Sequence, residues 1–258
     1  MSRASSYKAS SKNRTGNGSK AGYRPPKQRG TGTQIAYEMI RRQIISLKLP
    51  PGADLDEADI VSRLGLSRTP VREALIRLAS ERLVEITPNR GARVAGMGLN
   101  HIREHLECYD LIQRTATRWA ATRRSEAQLE AICRAEQTFA AAAAAGDAER
   151  MMEANRDFHS TIGAASGNAS LQQFYDQLLT DALRIVRLAM GHEYYASVAA
   201  YQAHVGTILA EHREIVDHIK AMRATEAEAV AHIHAELGRR RIVDFMSINQ
   251  SPDIVIGQ

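Results

Sequence analysis

Cysteine is almost absent from this chain of 258 residues. Cys108 and Cys133 are too few for a disulfide framework, and their scarcity fits a reducing cytoplasm. Long apolar runs are missing as well. Nothing approaches the roughly 18 consecutive apolar residues of a membrane-spanning helix, so no membrane partner is expected. The polar N-terminus has no apolar core of a secretory signal, which again points to a cytoplasmic protein. Acid is missing from residues 1–30, which carry eight Lys and Arg. Proline is missing between residues 89 and 251, and histidine is missing before residue 100.

These gaps divide the chain. The net charge of +5 resolves into +8 for residues 1–30, +2 for 31–98 and −5 for 99–258. A polyanion is therefore expected to bind toward the N-terminal end. Residues 1–32, rich in Ser, Gly, Lys, Arg and Asn, have too few apolar groups to offset ordering entropy and read as a disordered basic arm. The arm is either a solubilising tail or an element that touches phosphates. Residues 247–258 read as a flexible tail.

Residues 33–96 read as a compact domain. Ile35, Met39, Ile40, Ile44 and Leu47 recur at helical spacing, and Pro50-Pro51-Gly52 ends that helix. Asp54 and Glu57 have the spacing of a capping box opening a second helix through Leu64. Gly65 turns the chain, and Ser67 is a good N-cap for a third helix to about Ser80. Pro70 falls in its first turn, where a missing amide hydrogen costs little. Leu83–Thr87 and Ala92–Val94 read as strands joined by a Pro88-Asn89-Arg90-Gly91 turn. Three helices and a hairpin make a winged helix-turn-helix. The proline-free remainder, 97–246, reads as about six helices near 99–122, 125–145, 147–164, 168–190, 197–219 and 224–246. Ser125 with Gln128, Asp147 and Asn168 supply starts. The fold class expected is mainly α, a winged domain followed by an all-helical bundle of six or seven helices.

The most informative stretch is Leu64-Gly65-Leu66-Ser67-Arg68-Thr69-Pro70-Val71-Arg72-Glu73-Ala74-Leu75. Arg68, Thr69 and Arg72 lie at i, i+1 and i+4, while Val71, Leu75 and Leu78 point the other way. A helix laid end-on in a major groove brings Arg68 and Arg72 to base edges or phosphates. The Ser67 and Thr69 hydroxyls and the helix N-terminus suit phosphate oxygens. On the hairpin, Arg90 and Arg93 flank Gly91, where a glycine lets the backbone approach a phosphate or the minor groove. A merely solvated arginine face is the competing reading, and four arginines on both DNA-facing elements weigh against it.

Leu64 to Leu75, with Leu83-Val84 and Pro88-Asn89-Arg90-Gly91, resembles the GntR superfamily of bacterial transcription regulators. The second half resembles the FCD effector domain of the FadR-type branch. The resemblance implies DNA contacts at Arg68, Arg72 and the wing around Gly91. Ala58 stands where some members have a further arginine. The resemblance also implies a metal site, with Asn155, His159, His212 and His234 at the family's ligand places and Asn in the position usually held by Asp. Such an oxygen donor and three imidazoles suit Zn, Ni or Mn. Organic acids are the ligands such domains sense. Arg184 reads equally as a carboxylate clamp or as surface charge, Arg187 reads more as surface charge than as a second clamp, and Tyr109 takes the place where the family often has an arginine facing the ligand. The other histidines, at 101, 105, 192, 204, 218 and 232, read as structural or solvent-exposed.

No catalytic residues are expected. His-Glu-x-x-His, Glu-x-x-His, Gly-x-Ser-x-Gly and a phosphate-cradling glycine loop are all missing. The expected function is a ligand-responsive repressor that binds a pseudo-palindromic double-stranded operator as a homodimer and senses a small-molecule effector. A metal-dependent enzyme of small acids carrying a vestigial DNA-binding domain is the alternative. A non-specific architectural protein driven by the basic arm is a third.

Overall fold

A computed structural model describes residues 29–88, 91–190 and 197–248. Among these residues the order is α1 (Arg29–Ile45), β1 (Asp54–Leu55), α2 (Glu57–Leu64), α3 (Arg68–Ser80), β2 (Val84–Thr87), β3 (Gly91–Val94), α4 (Leu99–Arg123), α5 (Glu126–Ala144), α6 (Ala148–Ala165), α7 (Ala169–Met190), α8 (Val198–Lys220) and α9 (Ala224–Ile248). The mainly helical class, and the order of a winged helix-turn-helix before an all-helical bundle, are as the sequence leads one to expect. Helix α1 starts at Arg29, so the last four residues of the expected arm are helical. Helix α9 likewise takes the first two residues of the expected tail. Most of the arm, most of the tail, Asn89, Arg90 and His192 lie outside the described residues.

The N-terminal unit closes over Ile40, Ile44, Val71, Leu75, Leu78 and Leu83, all buried. One expected stripe is rotated. Ile35 is 52% exposed, and Ala36 and Tyr37 face inward instead. Tyr37 can do so because its hydroxyl donates to Glu81 at 2.7 Å and the Arg77 guanidinium covers its ring at 3.7 Å. An amphipathic ring with a polar tip thus takes a core position that aliphatic counting misses. The helix cap before α2 is also different from the expectation. Asp56 accepts from the amides of Ala58 and Asp59, while Asp54 sits in β1. Strand β1 was not expected at all. It pairs Asp54 with Arg93 and Leu55 with Ala92, giving a three-stranded antiparallel sheet of order β1-β3-β2. Two residues are too short for a period-two pattern to be read.

In the bundle, Ser125 and Gln128 cap each other reciprocally, Asp147 accepts from the Arg150 amide, and Asn168 accepts from the Leu171 amide. These caps fix where α5, α6 and α7 begin. Helix α7 then serves two neighbours. Leu179, Ala182, Leu183 and Val186 face an internal cavity. Thr180, Arg184 and Arg187, on an adjacent face, meet the winged unit. Arg41 reaches Thr180 at 3.4 Å, Arg184 donates to the Ala95 carbonyl at 3.0 Å, and Arg187 donates to the Ile45 carbonyl at 3.0 Å. Arg187 also pairs with Glu149 and Glu153 of α6.

Candidate nucleic-acid interface and metal centre

Helix α3 buries Val71, Ala74, Leu75 and Leu78 and leaves Ser67, Arg68, Thr69 and Arg72 exposed at its N-terminal end. Ser67 holds the N-cap position with an extended backbone, yet its side chain makes no capping bond. The expected capping role therefore fails, and both the hydroxyl and the end of the helix are open to a phosphate. Arg72 is 64% exposed and is tethered by Glu57 at 2.8 Å, which orients the guanidinium at little cost to its reach. Gly91 opens β3 with φ +86°, a conformation in which a side chain is strained. Arg93, two residues on, is exposed and pairs with Asp54 at 3.3 Å across the short β1–β3 ladder. Arg90 lies outside the described residues. The described members of the set share one solvent-exposed state, with no buried cation among them.

The second site has the opposite character. His159 on α6, His212 on α8 and His234 on α9 converge, all buried, with one ring nitrogen from each inside a sphere of 4.8 Å. The Nε2 atoms of His159 and His234 are 3.2 Å apart. Two imidazoles about 2.1 Å from one tetrahedral ion are separated by about 3.4 Å, so the spacing suits a shared cation. His234 Nδ1 lies 2.8 Å from the Glu211 carboxylate. A carboxylate accepts, so the proton sits on Nδ1 and the Nε2 lone pair faces the other histidines. Glu211 thus fixes the tautomer, a role that sequence reasoning did not give it. Its neighbour His212 was noticed, but the partner of Glu211 lies on another helix.

His212 packs its ring against Phe158 and Phe139, with centroids 4.2 and 4.7 Å away. Both of its nitrogens, and Nδ1 of His159, are buried without a hydrogen-bond partner. Burial pushes the pKa of His159 and His212 well below the ordinary histidine value, and the neighbouring imidazoles push the same way. Neutral imidazoles with unpartnered lone pairs are what a divalent transition metal requires, so these residues fit the expected ion. Asn155, one turn before His159 and half-buried, lines a cavity shared with His234.

That cavity, of about 170 Å³, lies among α4, α5, α6, α7, α8 and α9. Tyr109 lines it, as expected of an effector residue. Arg184 does not. Its guanidinium is 1% exposed, held by Asp181 at 3.2 Å and by the Ala95 carbonyl, on the side of α7 toward the winged unit. The expectation that Arg184 clamps an effector is therefore corrected to a tie between the two parts of the chain. Arg187, at 8% side-chain exposure, is neither a clamp nor a free surface charge. His105 and His204, read as structural or exposed, turn out to line the cavity. Their lone position in the sequence gave no signal, because the wall is assembled from six helices.

An exposed basic recognition helix, a glycine-opened wing and a helical domain with a buried three-histidine cluster define a class: DNA-binding transcriptional regulators with an attached sensor domain. The comparisons with known proteins agree. Residues 33–94 match the bacterial regulatory proteins of the gntR family, and residues 102–237 match the FCD domain. The chain belongs to the GntR family and carries its FCD domain. It is 35% identical over 95 residues to the HTH-type transcriptional repressor RspR of Escherichia coli, an alignment covering 37% of this chain and 42% of that protein. The chain thus spans under half the length of the first curated relatives it matches. It is also 28% identical over 208 residues to the probable D-xylose utilization operon transcriptional repressor of Paenarthrobacter nicotinovorans, covering 80% of this chain and 86% of the other. The fold is similar to that of E. coli McbR/YncC, with a TM-score of 0.68 at 21% identity, covering 84% and 98% of the two chains. Among the described residues no helix is long and apolar enough to cross a membrane.

Proposed function

We propose that this protein is a homodimeric, metal-loaded repressor that binds a pseudo-palindromic operator and releases it when a small organic acid enters the FCD domain. Ser67, Arg68, Thr69 and Arg72 read the major groove, and the wing with Arg90, Gly91 and Arg93 contacts the flanking backbone or minor groove. A two-fold dimer calls for a two-fold site. RspR and the D-xylose regulator are named as repressors, which supports that direction of control.

In the sensor domain, His159, His212 and His234 hold a Zn, Ni or Mn ion, with Asn155 as the oxygen ligand. Such an ion supplies a Lewis-acidic anchor for a carboxylate. The chain's own contribution is the tautomer set by Glu211 and a cavity with an apolar lining that includes Leu179, Leu183 and Met151. The response passes through α7, which has one face on that cavity and the adjacent face on α1 and the linker at Ala95. An effector shifts DNA affinity only by as much as it distinguishes the two placements of the winged units.

The observation that carries this reading is the three-histidine cluster beside a cavity whose α7 wall is tied to the DNA-binding unit. The test is selection of genomic fragments by the metal-loaded full chain, followed by titration of the recovered duplex at fixed salt. A palindromic motif of one protein dimer per duplex is expected. Binding indifferent to sequence would overturn the reading in favour of the architectural alternative.

A further inference from the structure

The α4 wall of the cavity holds a group that neither the metal nor the DNA reading uses. His105 is about nineteen-twentieths buried, lines the cavity, and has an Nδ1 with no hydrogen-bond partner. Burial depresses its pKa to about 4, so the ring is neutral. One turn on, Tyr109 stacks near it at 5.6 Å between ring centroids. Behind Tyr109, Gln113 donates to the Ala231 carbonyl at 2.8 Å, and Tyr175 donates to the Gln113 side-chain oxygen at 3.2 Å. This buried chain is internally satisfied and carries no charge. The unpartnered His105 nitrogen is the exception in it. An orphaned buried polar atom costs stability unless something supplies its partner.

The rest of the cavity near α4 and α7 is apolar, with Leu106, Leu179, Leu183, Val186, Met151 and Ile242. Arg156, Arg239 and Arg241 also line it; Arg156 is held by Asp157 at 2.9 Å and Arg239 by Glu236 at 2.6 Å, and Arg241 comes from α9 rather than from the α4 wall. A cavity of about 150 Å³ holds a benzene-sized body, so about 170 Å³ takes a compact ligand of similar bulk. We infer that the ligand is a small monocarboxylic acid with a compact apolar body and one hydroxyl, the hydroxyl meeting His105 on the α4 wall. This rests on the sensor reading above, in which the carboxylate lies at the metal. A second carboxylate at the α4 wall would be desolvated against a neutral imidazole and a phenol, a cost nothing there offsets.

A matched ligand series tests this. The full chain, loaded with Ni or Zn and checked for metal stoichiometry, is titrated calorimetrically with benzoate, the three hydroxybenzoate isomers, terephthalate and glutarate. At least one hydroxybenzoate is expected to bind about tenfold tighter than benzoate, and both diacids more weakly than benzoate. His105→Phe should remove the hydroxyl advantage and leave benzoate affinity within about twofold. His105→Gln, which keeps a hydrogen-bonding group, should restore part of it, and metal stoichiometry in both variants reports that the domain is folded. A preference for terephthalate or glutarate, abolished by Arg241→Gln on the α9 side, overturns the inference and leaves the sensor reading standing. So does a hydroxyl preference that survives His105→Phe. Metal binding with no acid bound at all overturns both.

Discussion

The two functional regions of this molecule are built on opposite principles. At the N-terminal end of α3, every described residue expected to face DNA is exposed, and each cation that has a carboxylate partner keeps most of its reach into solvent. In the bundle the three histidines are buried: His234 is held by Glu211, while His159 and His212 are kept neutral by burial and leave ring nitrogens without partners. A polyanion is met by several solvent-exposed charges that cost little to maintain because water and salt screen them. In the proposed reading, a metal and a small acid would be met by a few desolvated groups whose cost is recovered only on binding. The two regions should therefore differ in what a single substitution does.

The largest effect is expected in the bundle. His212→Ala should lower metal affinity by at least about 100-fold, read by competition with a chromophoric chelator, because outer-shell changes alone cost 10–100-fold. Glu211→Gln should fall inside that outer-shell range, through loss of the fixed tautomer at His234. DNA binding of the metal-free protein should be unchanged in both. If His212→Ala left metal affinity intact, the buried cluster would be core packing and the contrast between the regions would collapse.

Acid should also strike the bundle first. His105 has an ordinary pKa of 6.5 when unfolded and about 4 when folded. Below pH 6.5 the unfolded chain therefore takes up a proton that the folded chain cannot, and stability falls with pH until about 4. This one group costs about 2 kcal/mol between pH 7.5 and pH 5. His159 and His212, also held low by burial, add in the same direction in metal-free protein. Urea melts at pH 7.5 and 5 should show this loss, and His105→Asn should reduce it.

At the other end, Arg72→Ala should cost on the order of 1–3 kcal/mol at the selected operator, and much less on random duplex. Anisotropy titrations at two salt concentrations separate a base contact from a phosphate contact, because only the latter flattens the salt slope by about one. Between the regions, Arg187→Ala should leave the Ile45 carbonyl without its donor and lower stability by about 1–3 kcal/mol. Its sharper readout is faster amide exchange at the end of α1, with metal affinity retained. The smallest effect is expected for Asp54→Ala, which breaks an exposed pair with Arg93 and should change stability by less than about 1 kcal/mol.

Legibility in the sequence follows the same division. The expected faces of α3 were right because one helix period sorts Val71, Leu75 and Leu78 from Arg68 and Arg72, and no other element need be known. The starts of α5, α6 and α7 were right because capping is decided within three or four residues. Strand β1 was missed because two residues carry no period, and Asp54 was mistaken for a cap because Asp56, two places on, has the same chemistry. Tyr37 was missed because its inward place depends on Glu81 and Arg77 from α3 and its end. The histidine triad was expected by resemblance. Its partner Glu211, the cavity role of His105, and the turning of Arg184 toward Ala95 rather than the ligand were beyond it.

What the sequence alone determined is the set of elements and the chemistry each local face presents, since backbone periodicity, caps and charge act over a few residues. What only the tertiary structure decided is which distant side chains share a space. Three imidazoles from α6, α8 and α9 meet within 4.8 Å, and an arginine on α7 bonds to the carbonyl of Ala95 rather than facing the cavity. The physical reason is that burial and partnership depend on how whole helices pack, and packing is set by the sum of many apolar contacts rather than by any short stretch of chain.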